Sequence, residues 1–67
     1  MNEKEALLLL AQNLKKLRKE KKVTQADVFN DTGIHVARIE QGKRNISFTT
    51  LLKLAEYFNV DLNHFYS

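Results

Sequence analysis

The sequence predicts an all-α fold, a compact five-helix bundle with two long helices and three short ones. Three observations carry that prediction. Apolar residues recur at helical spacing near both ends of the chain. Residues suited to start helices, and glycines suited to end them, stand between the apolar runs. No segment alternates apolar and polar residues as a half-buried strand does.

The first helix spans about residues 3–21. Leu7, Leu10, Leu14 and Leu17 form one stripe, with no helix breaker among them. Glu3 and Glu5 stand near its start and Lys21 and Lys22 near its end, the signs that favour the helix dipole. Leu8 and Leu9 widen the apolar band, either as extra core contact or as a dimer surface. Thr24 then offers an N-cap. Asp27 is its capping-box partner, although the box prefers Glu or Gln. A short helix with Val28 and Phe29 follows, and Thr32-Gly33 punctuates it. A second short helix runs to Gln41 with Val36 and Ile39 inward, and Gly42 ends it as a left-handed residue. Lys43-Arg44-Asn45 is an exposed basic loop. Ser47 caps the next helix, whose stripe is Phe48, Leu51, Leu52, Ala55 and Phe58. Asp61 caps a last turn with Leu62 and Phe65, so the closing helices cover about 48–66.

At 67 residues the chain is read as a single domain, 1–67. A domain this small needs close helix packing or a partner subunit. The absence of cysteine excludes disulfides and thiolate metal sites. His35 and His64 are 29 positions apart and form no ligand pair, so no metal, cofactor or small-molecule ligand is expected. The longest apolar run, Ala6–Ala11, falls far short of the roughly 20 residues that cross a bilayer. Glu3 and Glu5 stand where a signal peptide carries basic residues. A cytoplasmic, nucleoid-associated location is the expectation. Net charge is +3, of which residues 15–22 supply +5 and Lys43 and Arg44 +2, leaving −4 for the rest. Positive charge gathered on an otherwise acidic domain suits a polyanion, and suits a solvated helix face equally well.

Two short helices joined by a tight glycine-containing connection, in a basic helical domain, describe a helix-turn-helix over about residues 24–41. Leu14-Lys15-Lys16-Leu17-Arg18, Thr24-Gln25 and Arg38-Ile39-Glu40-Gln41-Gly42-Lys43-Arg44-Asn45 carry a family pattern. So does Leu51-Leu52-Lys53-Leu54-Ala55 with Val60 and Leu62. Together they resemble the XRE family, the Cro- and lambda-repressor-like DNA-binding domains, over about residues 10–66. The resemblance implies the lambda-repressor-like fold, binding to double-stranded DNA and homodimerisation. One departure is clear: Thr24 to Glu40 spans 16 positions, three fewer than the family's spacing. An isolated helix of about six residues is too short to persist. The favoured register therefore removes a turn from the first short helix, takes Thr32 as N-cap and runs the recognition helix from Gly33 to Gln41. Phe29 then fills the vacated space.

The resemblance implies these roles. Thr24, Gln25, Thr32, Gly33, Lys43, Arg44 and Asn45 hold backbone phosphate. Such contacts position a protein without carrying sequence information. Arg38 reads a base, with two hydrogen bonds to guanine available to an arginine, or joins an intramolecular salt bridge. Ile34 and Ala37 touch a thymine methyl or simply pack. His35 donates to a base or phosphate, or is packed and inert. Arg18 and Glu40 match a structural charged pair that bridges the first and third helices.

The leading expectation is a sequence-specific transcriptional regulator, a repressor or autoregulator. It would bind a near-palindromic operator as a homodimer, with half-sites about 34 Å apart. A phage repressor, a restriction–modification controller and an antitoxin all fit. The expected dimer surface is the C-terminal turn, Asn63 to Ser67, with the N-terminal leucines second. The rival reading is a protein-binding adaptor whose apolar surface at Leu8, Leu9, Phe65 and Tyr66 docks a partner such as a toxin. An enzyme is not expected, because no nucleophile–base arrangement is present. A membrane-surface peptide would use the leucines and lysines of the first helix, but the ordered motifs after it direct those leucines to a core.

Overall fold

A computed structural model describes residues 1–67. Four α-helices and a closing 3₁₀ turn follow one another: α1 (Glu3–Glu20), α2 (Gln25–Thr32), α3 (Val36–Ile39), α4 (Phe48–Phe58) and Leu62–Phe65. The fifth expected helix is thus one turn of 3₁₀ geometry. Asp61 precedes it in extended conformation, but its side chain makes no capping bond.

Local chemistry sets each boundary. Asn2 accepts the Glu5 N–H at 2.8 Å and starts α1. At the far end Val23 N–H reaches back to the Arg18 carbonyl and Lys22 N–H to Lys19. This is the Schellman closure, with Lys22 in the left-handed region at φ 60° where glycine is usual. α4 starts at Ser47, whose hydroxyl accepts the Thr50 N–H at 3.1 Å. It ends at Asn59, φ 57°. α2 ends at Gly33, φ 77°. The one-turn α3 ends at Glu40, and Gly42, φ 78°, turns the chain away two residues later.

Leu14 and Leu17 of α1, Val28 of α2, Val36 and Ile39 of α3, Leu54, Ala55 and Phe58 of α4, and Phe65 form one core. Leu7 and Leu10 are only half-buried. Two expectations change here. The buried face of α4 is Leu51, Leu54, Ala55 and Phe58, whereas Phe48 lies 63% exposed at the first position, beyond the edge of the core. Phe65 is buried, so it belongs to the core and not to a docking surface; Tyr66 beside it is exposed.

The two glycines differ in their surroundings. A Cβ at Gly33 would meet nothing within 4 Å, while one at Gly42 would lie 2.8 Å from Leu8 Cδ2. Both Gly33→Ala and Gly42→Ala are expected to destabilise by about 1–2 kcal/mol, because a side chain is strained in the left-handed region. Gly42→Ala should cost more, since the Leu8 methyl must also move. Urea midpoints of the two variants, and of Gly42→Ala combined with Leu8→Ala, measure the difference; the Leu8 change should erase it.

α4 is tied to the end of α2 by the Tyr57 hydroxyl, which donates to Asp31 Oδ2 at 2.6 Å. That bond, followed by burial and the charges of Asp31 and Asp27, pushes the hydroxyl up from 10.0 to about 12. The folded state therefore holds this proton more tightly than the unfolded chain does. The contribution to stability is full below the ordinary tyrosine range and is lost as pH rises towards about 12. A phenolate absorbance titration should show one tyrosine ionising near the top of that range. Asp31→Asn should return it towards the ordinary value.

Candidate nucleic-acid interface

Thr24 starts α2 with a complete capping box. Its hydroxyl accepts the Asp27 N–H at 3.0 Å, and the Asp27 carboxylate accepts the Thr24 N–H at 2.9 Å. The backbone bond from Thr24, then the bond with its side chain, holds the Asp27 carboxyl below the usual aspartate range. The Gln25 and Ala26 N–H groups at the helix start make no backbone bond, the ordinary state of a first helical turn.

Gln25 is held by a charged pair. Arg18 presents a two-pronged fork to Glu40: Nε donates to Oε2 at 2.8 Å and Nη2 to Oε1 at 3.1 Å. Its third nitrogen, Nη1, donates to the Val23 carbonyl at 3.1 Å. The two side chains are 12% and 5% exposed. The hydrogen bond to Glu40 raises the Arg18 pKa, burial opposes the rise, and the charge of Glu40 adds to it. Gln25 Nε2 then donates to Glu40 Oε1 at 3.1 Å. One amide N–H of Gln25 remains for an outside acceptor. Three residues thus link α1, the start of α2 and the end of α3.

The structure corrects the register. Thr32 is the last residue of α2, not the N-cap of the next helix. Its hydroxyl donates to the Val28 carbonyl at 2.7 Å and accepts the Ile34 N–H at 3.1 Å. Gly33 N–H donates to the Phe29 carbonyl at 2.7 Å. Neither residue stands at a helix start with a free donor. The missing turn comes out of the second short helix, which keeps only Val36–Ile39, and α2 keeps its eight residues.

His35, Ala37 and Arg38 are exposed, whereas Ile34 is half-buried and packs against the core. His35, Arg38, Arg44, Asn45 and Thr50 line one surface depression of about 350 Å³. Lys43 points elsewhere: it lines a separate crevice with Glu3, Lys4 and Leu8 beside the start of α1. The basic loop expected to act as one unit therefore divides between two surfaces. Sequence reasoning missed two contacts, the Gln25–Glu40 bond and the stacking of Phe29 on His35 with ring centroids 4.3 Å apart. Phe29 is 42% exposed and so does not fill an interior space. The one signal in the sequence was a large residue where the family usually has a small one.

No group of three or more His, Cys, Asp or Glu side chains is gathered as a metal site. No helix is long and apolar enough to cross a membrane. Comparison with curated proteins and with solved structures found no match. A family model for the helix-turn-helix (HTH_3) matches residues 14–65, which takes in the charged pair, both short helices, the basic loop and α4. The chain therefore belongs to the XRE-type helix-turn-helix family of DNA-binding transcriptional regulators, with the lambda-repressor-like helical fold.

Proposed function

We propose that the chain is a sequence-specific regulator that binds a near-palindromic operator as a homodimer and represses transcription, its own included. α3 and the turn before it would enter the major groove, which is about 12 Å wide. The observation that carries this reading is the common frame. Arg38 and His35 are exposed beside one depression, while Gln25 is fixed to the same element through Glu40. Phosphate-holding and base-reading groups are thereby set in one rigid geometry.

In this reading Arg38, His35 and Ala37 face the bases. Gln25, Arg44 and Asn45 hold phosphate, joined by the start of α2 at Thr24, where free N–H groups favour an anion. Lys43 adds charge from the flank. Thr32 and Gly33 drop out, because their donors are engaged inside the chain. Ile34 serves packing. The exposed Tyr66 supports the C-terminal turn as the dimer surface. A DNA partner would place the protein with the nucleoid in the cytoplasm.

The test is selection of binding sites from a random duplex pool, followed by titration of the winner and a scrambled duplex across a salt series. A near-palindrome preferred by at least ~10³-fold supports the reading. Equal, weak and steeply salt-dependent binding to both duplexes means electrostatic attachment alone. The adaptor reading with a protein partner would then take its place.

A further inference from the structure

α3 is a single turn, about 6 Å long at the usual rise. Its exposed side chains are Ala37 and Arg38 alone. A helix this short spans few base steps, so the residue just before it belongs to the reading surface. That residue is His35, with φ −82° and ψ 77°, and its side chain makes no capping hydrogen bond. A side chain outside a helix lacks the preceding turn that restricts rotamers in a helix. Something else must hold the imidazole if it is to read a base.

Phe29 supplies that support. It is a large apolar ring left 42% exposed in a domain short of core. Its ring lies against the imidazole with centroids 4.3 Å apart and planes 29° apart. Stacking engages the face of the imidazole. Both ring nitrogens sit on the edge, so the one that carries the N–H stays free to donate to an acceptor in the groove. His35 also lines the depression shared with Arg38, Arg44 and Asn45, three of the other DNA-facing candidates.

We propose that Phe29 is a positioning residue whose ring holds His35 edge-on to the major groove, and that His35 so held reads a purine acceptor, N7 or O6, at one base pair of each half-site. The inference rests on the DNA-reading function proposed above. It explains how a recognition helix reduced to one turn still carries two readers: Arg38 sits on the helix, and His35 sits on an aromatic shelf borrowed from α2.

The experiment uses the selected operator and its single-base variants, titrated with the unaltered chain, Phe29→Leu, Phe29→Tyr, His35→Ala and the Phe29→Leu/His35→Ala pair. Phe29→Leu should weaken operator binding about three- to tenfold, the fold-change such an aromatic pair is worth. The loss should fall at the base pair where His35→Ala also loses discrimination. The double variant should be no weaker than His35→Ala, Phe29→Tyr should bind as the unaltered chain does, and scrambled DNA should show no change. In the free protein, the His35 ring protons should be shifted upfield by the phenyl ring current, and Phe29→Leu should abolish that shift. Additive losses, a loss spread evenly over all base pairs, or His35 protons at ordinary shifts in the unaltered chain would overturn the shelf. Failure of the unaltered chain to select any operator would overturn the function itself along with the shelf, an outcome distinct from an operator that Phe29 does not help to read.

Discussion

Arg18→Met should destabilise the domain by about 3 kcal/mol, the lower end of the cost of removing one partner from a buried ion pair. The Glu40 carboxylate is 5% exposed and would keep only the Gln25 amide as partner. A chain of this length has a total stability of roughly 3–10 kcal/mol, so the change removes a large share of it. The thermal midpoint should fall by about 12–24 °C. The damage comes from the stranded charge and not from the lost contact. Arg18→Met combined with Glu40→Met should therefore regain much of the midpoint, since apolar side chains of similar volume often replace such a pair without loss. The rescued protein should still bind DNA of any sequence more weakly, because Gln25 has lost the carboxylate that orients it. Calorimetry on the single and double variants, with titration of scrambled duplex, separates the two effects. A single variant as stable as the double would show that the pair is solvated and inconsequential.

The same pair shows where sequence reasoning stops. α1 and α4 were legible because each is long and amphipathic, the first with charges suited to the helix dipole at its ends and the second with Ser47 as its cap. The register of the short helices was not legible. Glu40 lies in the last turn of the second short helix or just after it in either register, so its pairing with Arg18 cannot distinguish them. Helix length misled as well. A four-residue helix is unstable alone, but Val36 and Ile39 are buried in the common core and the glycines on both sides supply the left-handed turns. Packing holds what propensity would not. Along α4, Leu51, Leu52 and Leu54 stand close together in the chain, and periodicity alone does not single out Leu54 for the buried face. Contacts such as Phe29 on His35 and Gln25 on Glu40 depend on where a turn of three residues aims two helices. The identity of the side chains does not encode that angle.

Arg38→Ala should weaken operator binding by about 10- to 100-fold, the value of one two-pronged contact to guanine. Arg38 is exposed on α3, and the ion pair in the structure is Arg18–Glu40, which Arg38 does not join. Stability should therefore stay within about 0.5 kcal/mol, as for surface substitutions generally. Any loss of binding then reports on the DNA contact and not on folding. Three further measurements fix what kind of contact it is. Against single-base variants of the operator, the loss should concentrate at one base pair per half-site. Arg38→Lys should fail to restore it, because an ammonium keeps the charge without the planar fork. Arg44→Ala is the contrast: it should weaken specific and scrambled sites together and reduce the salt slope by about 0.9 per protomer, the signature of a lost phosphate contact. If Arg38→Lys restores full affinity and Arg38→Ala lowers the salt slope as Arg44→Ala does, Arg38 lies on the backbone. Base reading on α3 would then be left to Ala37, and the weight of discrimination would pass to His35 in the turn.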